Sequence, residues 1–243
     1  MHVAELWRYP VKSLQGEQLE QAAIGSHGIE GDRRFAIYDC ESGFGLTARR
    51  VPELLFAAAR LREDGSAEIT LPDGSPARDD EALSAWLGRR VELRAGGGSG
   101  ALRFENPVDF EREERGWEPF EGAAGAFHDS AQVRVSLVST ATIGDWDRRR
   151  FRANVLLEGA GEDELVGSSV RLGEAELEIG RRLARCVMTT RAQPGGIERD
   201  LDVMRTLARE RDARIAVGAT VARPGIVRVG DALDTRPAAA ARG

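Results

Sequence analysis

The chain has 243 residues, 42% hydrophobic and 30% charged, with a formal net charge of −6, which fits an ordinary globular protein of one large or two small domains and argues against broad nucleic-acid binding. No stretch approaches the ~18 apolar residues of a membrane span, and the start, from Met1 to Ser13, lacks the basic-then-apolar pattern of a signal peptide, so no membrane span and a cytoplasmic location are expected. Two cysteines, Cys40 and Cys186, make no disulfide framework, and three histidines (His2, His27, His128) without an HExxH or paired CxxC exclude the common zinc sites.

The first hundred residues read as short strands between turn signals: His2–Tyr9, Leu19–Ile24, Arg34–Tyr38, Leu54–Arg62, Ala67–Leu71 and Arg90–Arg94. Asp64-Gly65-Ser66 and Pro72-Asp73-Gly74 supply hairpin turns. Asp79 or Asp80 caps a helix whose apolar stripe is Leu83, Trp86 and Leu87. The glycine-serine run 96–100 marks a linker and a domain boundary. From Phe104 to Ala126, aromatic residues lie among many charges with no period, which predicts a long loop able to cover a site.

Beyond it, the pattern predicts strands at Val133–Val138, Asn154–Leu157, Ser169–Leu172 and Glu174–Ile179, with Ser139 capping a helix over Ala141–Trp146. The Arg185–Thr190 segment follows. Asp200 is expected to cap a helix ending near Arg211, and strands at Ala213–Ala222 and Ile226–Val229 flank a Pro224-Gly225 turn. The whole reads as β-rich: an N-terminal barrel-like domain over 1–100, a second β-barrel domain over 101–236, and a flexible tail at 237–243.

The most informative stretch is Arg185-Cys186-Val187-Met188-Thr189-Thr190. A thiolate, not a thiol, coordinates metal or attacks, and neighbouring cations favour that form. A buried structural cysteine on an alternating strand is the competing explanation. The arginines cluster at 148–150, 152, 181–182 and 185, a local basic focus that suits a small anionic ligand; for 148–150 a solvated face is the simpler expectation.

Taken in order, Tyr9-Pro10-Val11-Lys12-Ser13, Gly31-Asp32-Arg33, Thr47-Ala48-Arg49, Phe151-Arg152-Ala153-Asn154, Arg185-Cys186 with Thr189-Thr190, and Pro224-Gly225 with Val229-Gly230-Asp231 resemble the MOSC-domain proteins that carry an N-terminal β-barrel domain. The resemblance implies a molybdenum-cofactor (Mo-molybdopterin) protein similar to the amidoxime-reducing components, and, as a generic family property, pyridoxal phosphate binding. It implies that Cys186 is the catalytic thiolate and the protein ligand to molybdenum. Cofactor contacts carry over to Lys12, Ser13, Arg33, Arg152, Asn154 and Arg185, and less cleanly to Asp129 and Ser130. Cys40 matches no motif.

The activity implied is N–O bond reduction of small N-hydroxylated compounds. No flavin, nicotinamide or iron–sulfur motif is visible, so electrons are expected from a ferredoxin-, flavodoxin- or cytochrome b5-like protein with its reductase. The rival class is a sulfur or cofactor carrier using Cys186. A Cys–His hydrolase would need His128 beside Cys186.

Overall fold

The computed structural model describes residues 1–97, 102–122, 126–130 and 132–236; the expected flexible tail and most of the glycine-serine linker lie outside the described residues. Its centre is an eight-stranded sheet in the order Leu233–Arg236, Ser169–Leu172, Ala175–Ala184, Arg214–Arg223, Val135–Ser139, Val155–Glu158, His2–Arg8, Glu17–Leu19. Within it, Val135–Ser139 and Val155–Glu158 run parallel. A parallel pair needs a crossover. The crossover here holds the helix Thr140–Ile143 and the short 3₁₀ turn Arg148–Arg150.

Alternation builds the core. Val135 and Leu137, Val155 and Leu157, Val170 and Leu172, and Leu177 and Ile179 bury one side of each strand in a single cluster, joined by Val3 and Leu6, between which the register of the first strand shifts. Ala22, Ile24 and Ile29 join that cluster from the N-terminal third, and Gly225–Arg228 pairs antiparallel with Gln21–Gly25. Val3, Leu6, Ala22, Ile24 and Ile29 are thus packed into the same core as the strands between Val135 and Leu233. A second core, centred on Val11, Leu14, Ile37, Leu54, Leu55, Ile69, Leu83 and Val91, is filled by the rest of the N-terminal half. There Asp79 caps the helix Asp80–Leu87 by accepting from Ala82 N at 2.9 Å, and Gly88 ends it at φ 64°.

Several expected elements take another form. Leu54–Arg62 is not one strand: a 3₁₀ turn, Pro52–Phe56, precedes Ala58–Leu61, and it buries both Leu54 and Leu55. The supposed loop after Phe104 is a hairpin, Arg103–Pro107 against Trp117–Glu121, with Phe104 opposite Phe120. Cys186 sits at the entry to a 3₁₀ turn, Val187–Thr190, rather than inside a strand. Asp200 lies one residue before the true cap, Leu201, and holds the helix Asp202–Arg211 by accepting from Asp202 N at 2.9 Å. The strand Leu233–Arg236 was not anticipated.

The 148–150 cluster is no solvated face. Arg150 is buried and donates to Thr189 O at 3.1 Å and Glu198 O at 2.9 Å, while Arg148 lies over the Trp7 ring at 3.7 Å.

Candidate cofactor site

Residues from the 33, 128–136, 152–154 and 181–185 segments line a cleft of about 690 Å³. Seven arginines, among them Arg33, Arg152, Arg181 and Arg185, face two carboxylates, Asp129 and Asp163. His128 adds no charge there: burial, and next the positive charge of Arg33, push its imidazole down to about 4. The cleft is therefore a positive well inside an acidic protein, suited to an anion.

The backbone aims these groups through unusual conformations. Of six non-glycine residues at positive φ among the described residues, three are residues expected in the site: Ser13 at 69°, Arg33 at 50° and Arg152 at 51°. Such conformations persist only where surroundings over-determine them, and they gather at functional sites. Around Arg33 the constraint is visible: its N–H donates to Tyr9 O at 2.8 Å, and Asp32 accepts from Tyr9 N at 2.8 Å.

Arg152 carries the main argument for a missing ligand. It is 6% exposed, its guanidinium stacks on Tyr9 at 4.2 Å, and it has no hydrogen-bond acceptor among the described residues. Burial pulls its pKa down to about 10, so it stays charged at neutral pH. Arg185 gives Nε to Ile215 O at 2.9 Å and Nη1 to Phe151 O at 3.0 Å, yet its Nη2 is buried without a partner. Buried guanidinium donors left unused call for an acceptor that the chain does not supply.

Beside the cleft, one aspartate ties the sulfur to the lysine. Lys12, the only lysine in the chain, donates to Asp129 at 2.5 Å and to Phe127 O at 2.9 Å, over the Phe104 ring at 4.7 Å. Arg49 donates to the other Asp129 oxygen at 2.8 Å and, through Nε, to Cys186 Sγ at 3.3 Å. Burial opposes the Asp129 charge, but Arg49 and Lys12 outweigh it and hold the carboxyl well below the usual range. Asp129 keeps half its side chain open to the cleft.

The expected residues thus divide. Arg33, Asp129, Ser130, Arg152, Asn154 and Arg185 line the cleft; Lys12, Ser13 and Cys186 are not part of its lining. Ser130 Oγ accepts from Arg181 at 3.0 Å. Asn154 is spent on the fold, since its amide oxygen accepts from Ser136 and its Nδ2 donates to Trp7 O at 3.3 Å. Sequence reasoning gave no site role to Arg49, although Thr47-Ala48-Arg49 had been singled out, nor to His128 except as a hydrolase partner. His128 Nε2 is buried and unpartnered, and His128 makes no hydrogen bond to Cys186 among the described residues. Cys40 is exposed and outside the cleft.

A molybdopterin fits these residues. Its phosphate matches the unused donors of Arg152 and Arg185. Among the described residues no three His, Cys, Asp or Glu side chains converge as a metal-binding group.

Residues 1–97 match the MOSC N-terminal beta barrel domain and residues 125–234 match the MOSC domain. The mouse protein named mitochondrial amidoxime-reducing component 1 is 26% identical over 84% of this chain and 70% of its own length; its human counterpart is 24% identical over the same shares. Cattle mitochondrial amidoxime reducing component 2 is 23% identical over 77% of this chain and 66% of its own length. The crystal structure of the YuaD protein from Bacillus subtilis covers 95% of this chain and 92% of its own at 14% identity, with a TM-score of 0.44, too distant to carry an argument. Among the described residues no helix is long and apolar enough to cross a membrane. With its N-terminal barrel and MOSC regions in sequence order, the chain belongs to the MOSC-domain proteins that carry an N-terminal β-barrel domain.

Proposed function

We propose that this protein binds molybdopterin in the arginine cleft, with Cys186 as the protein ligand to molybdenum, and reduces the N–O bond of small N-hydroxylated compounds. The family is one of molybdenum-cofactor-binding proteins, and the matched relatives are named for amidoxime reduction. The single observation that carries the reading is Arg152, a buried guanidinium without an acceptor on a cleft of the right charge.

When bound, the cofactor supplies two-electron redox chemistry at an oxygen-accepting metal. The chain does the rest. Arg152, Arg185 and Arg33 clamp the phosphate through charge-assisted hydrogen bonds. Arg49 holds the Cys186 sulfur from one side and Asp129 from the other, so the thiolate and the cleft wall are fixed as a unit. Lys12 locks Asp129 in turn. Asn154 stiffens the wall between Ser136 and Trp7 and makes no direct cofactor contact in this reading.

Electrons come from a separate donor of the ferredoxin, flavodoxin or cytochrome b5 type with its reductase, a reading supported by a sequence without a GxGxxG dinucleotide motif. The test is benzamidoxime reduction by protein made in a cofactor-competent host, with a chemical reductant. Wild type is expected to turn over and Cys186→Ser, matched for cofactor content, is expected to be inactive. Equal activity of the two would remove Cys186 from the reaction. Inactivity of both, with a persulfide on Cys186 after exposure to a sulfur source, would favour the carrier role instead.

A further inference from the structure

Exposure divides the cleft into an inner and an outer wall. Arg152 and Arg33 are inner cations, both largely closed to solvent, whereas Arg181 and Val166 of the same lining are exposed. Four arginines belong to the outer wall, and two of them are neutralised: Arg182 pairs with Asp163 at 3.2 Å, and Arg214 pairs with Asp212. The other two are not. Arg181 donates only to neutral oxygens, those of Ser130 at 3.0 Å and of Gln132. The Arg134 guanidinium has no hydrogen-bond or carboxylate partner among the described residues.

These two free cations are neighbours across one strand. Arg134 N donates to Ala219 O at 2.8 Å, and Arg181 is the register partner of Gly218 on the opposite edge, so the pair flanks Arg214–Arg223 at one level and both line the cleft. Gly218 between them has no side chain, and Leu183 and Val133 close over it: a Cβ there would lie 2.7 Å from each. With Val166 they give the outer wall an apolar floor. Arg181 is also tied to the reacting end, because the Ser130 it holds follows Asp129, the acceptor for Arg49 beside Cys186. A phosphate clamped by Arg152, Arg185 and Arg33 leaves this outer pair unused.

We propose that Arg134 and Arg181 form a substrate-carboxylate seat: the N-hydroxylated compound carries a carboxylate at the end remote from its N–O bond, its apolar body lies on Val133, Val166 and Leu183, and its N–O group faces Asp129 and Cys186. The inference rests on the N–O reduction proposed above and names the substrate class. A carboxylate matches the planar fork of a guanidinium, and its one negative charge is shared by the two arginines. A neutral compound gains nothing from them. Because Arg181 stands on the open wall, the gain is screened by salt.

The test compares 4-carboxybenzamidoxime with benzamidoxime on protein made in a cofactor-competent host. Two ratios are read: affinity by calorimetry without reductant, and kcat/KM with dithionite. Both are expected to favour the carboxylate by about tenfold at low ionic strength, which is about 1.4 kcal/mol shared by two partly exposed ion pairs. Both shrink as salt is added. Arg134→Gln and Arg181→Gln together bring each ratio to about one, and a ratio taken within one protein cancels differences in cofactor content or in reaction with dithionite. Equal affinity for the two compounds in wild type, or a preference that survives in the double variant, would overturn the seat. Turnover of both compounds without the preference would leave N–O reduction standing and remove the seat alone. Failure of both to turn over, with the binding ratio intact, would instead count against the N–O reduction on which the inference rests.

Discussion

Two neighbouring arginines separate ligand holding from scaffolding. Arg149 is bound to Asp147 and to Pro194 O at 2.9 Å, whereas Arg152 has its donors free on the cleft. Arg152→Ala is expected to lose a charge-assisted contact of about 1.5–3 kcal/mol with a bound phosphate. Arg149→Ala loses only a partly solvated ion pair, about 0–1 kcal/mol. Molybdenum content and phosphate affinity measured side by side check the difference, and equal retention by both variants contradicts the role of Arg152.

His128 gives a second residue-scale test. Its folded-state value of about 4 lies below its unfolded 6.5, so the unfolded chain takes up the proton first as the pH falls. Its contribution is fully present above 6.5 and is lost progressively toward 4. Between pH 7 and 5 that amounts to about 2 kcal/mol. Urea unfolding at the two pH values should show this slope in wild type and a flatter one in His128→Gln.

At the scale of elements, the hairpin Arg103–Pro107 with Trp117–Glu121 backs the site it was expected only to cover. Phe104 is fully buried among Tyr38, Phe127 and Phe120, with Lys12 over its ring, and Phe120 lies under Arg49 at 5.1 Å. Phe104→Ala should cost about 3–5 kcal/mol of stability, read from the urea midpoint. It should also loosen Lys12, the sole lysine, and so raise its acylation by amine reagents. This element was illegible in the sequence because Glu105, Glu118 and Glu121 interrupt the apolar alternation that marks a strand. Arg33 and Arg152, which line the cleft, each stand in a short motif that the sequence shows in order. The bridge from Arg49 to Cys186 was not legible, since it spans 137 positions and no local pattern encodes it. Nor was the burial of Arg150, whose acceptors are main-chain carbonyls of a distant turn.

At the scale of the molecule, the N-terminal strand His2–Arg8 is paired on one edge with Val155–Glu158, and Gly225–Arg228 is paired with Gln21–Gly25. The cleft lining runs from Arg33 to Arg214 and so draws on both halves of the sequence. The same reading places the electron source outside the chain: loaded protein should reduce benzamidoxime with dithionite or a supplied redox partner and should fail with NADH alone. Turnover on NADH in the absence of another protein would contradict that electron path. The central claim is that molybdenum is held in this cleft by Cys186. X-ray absorption at the molybdenum edge, on wild type and Cys186→Ser made in a cofactor-competent host, tests it most directly. The account predicts bound molybdenum in both, with a sulfur neighbour lost in the variant; no molybdenum in either protein, or an unchanged sulfur shell, would contradict it.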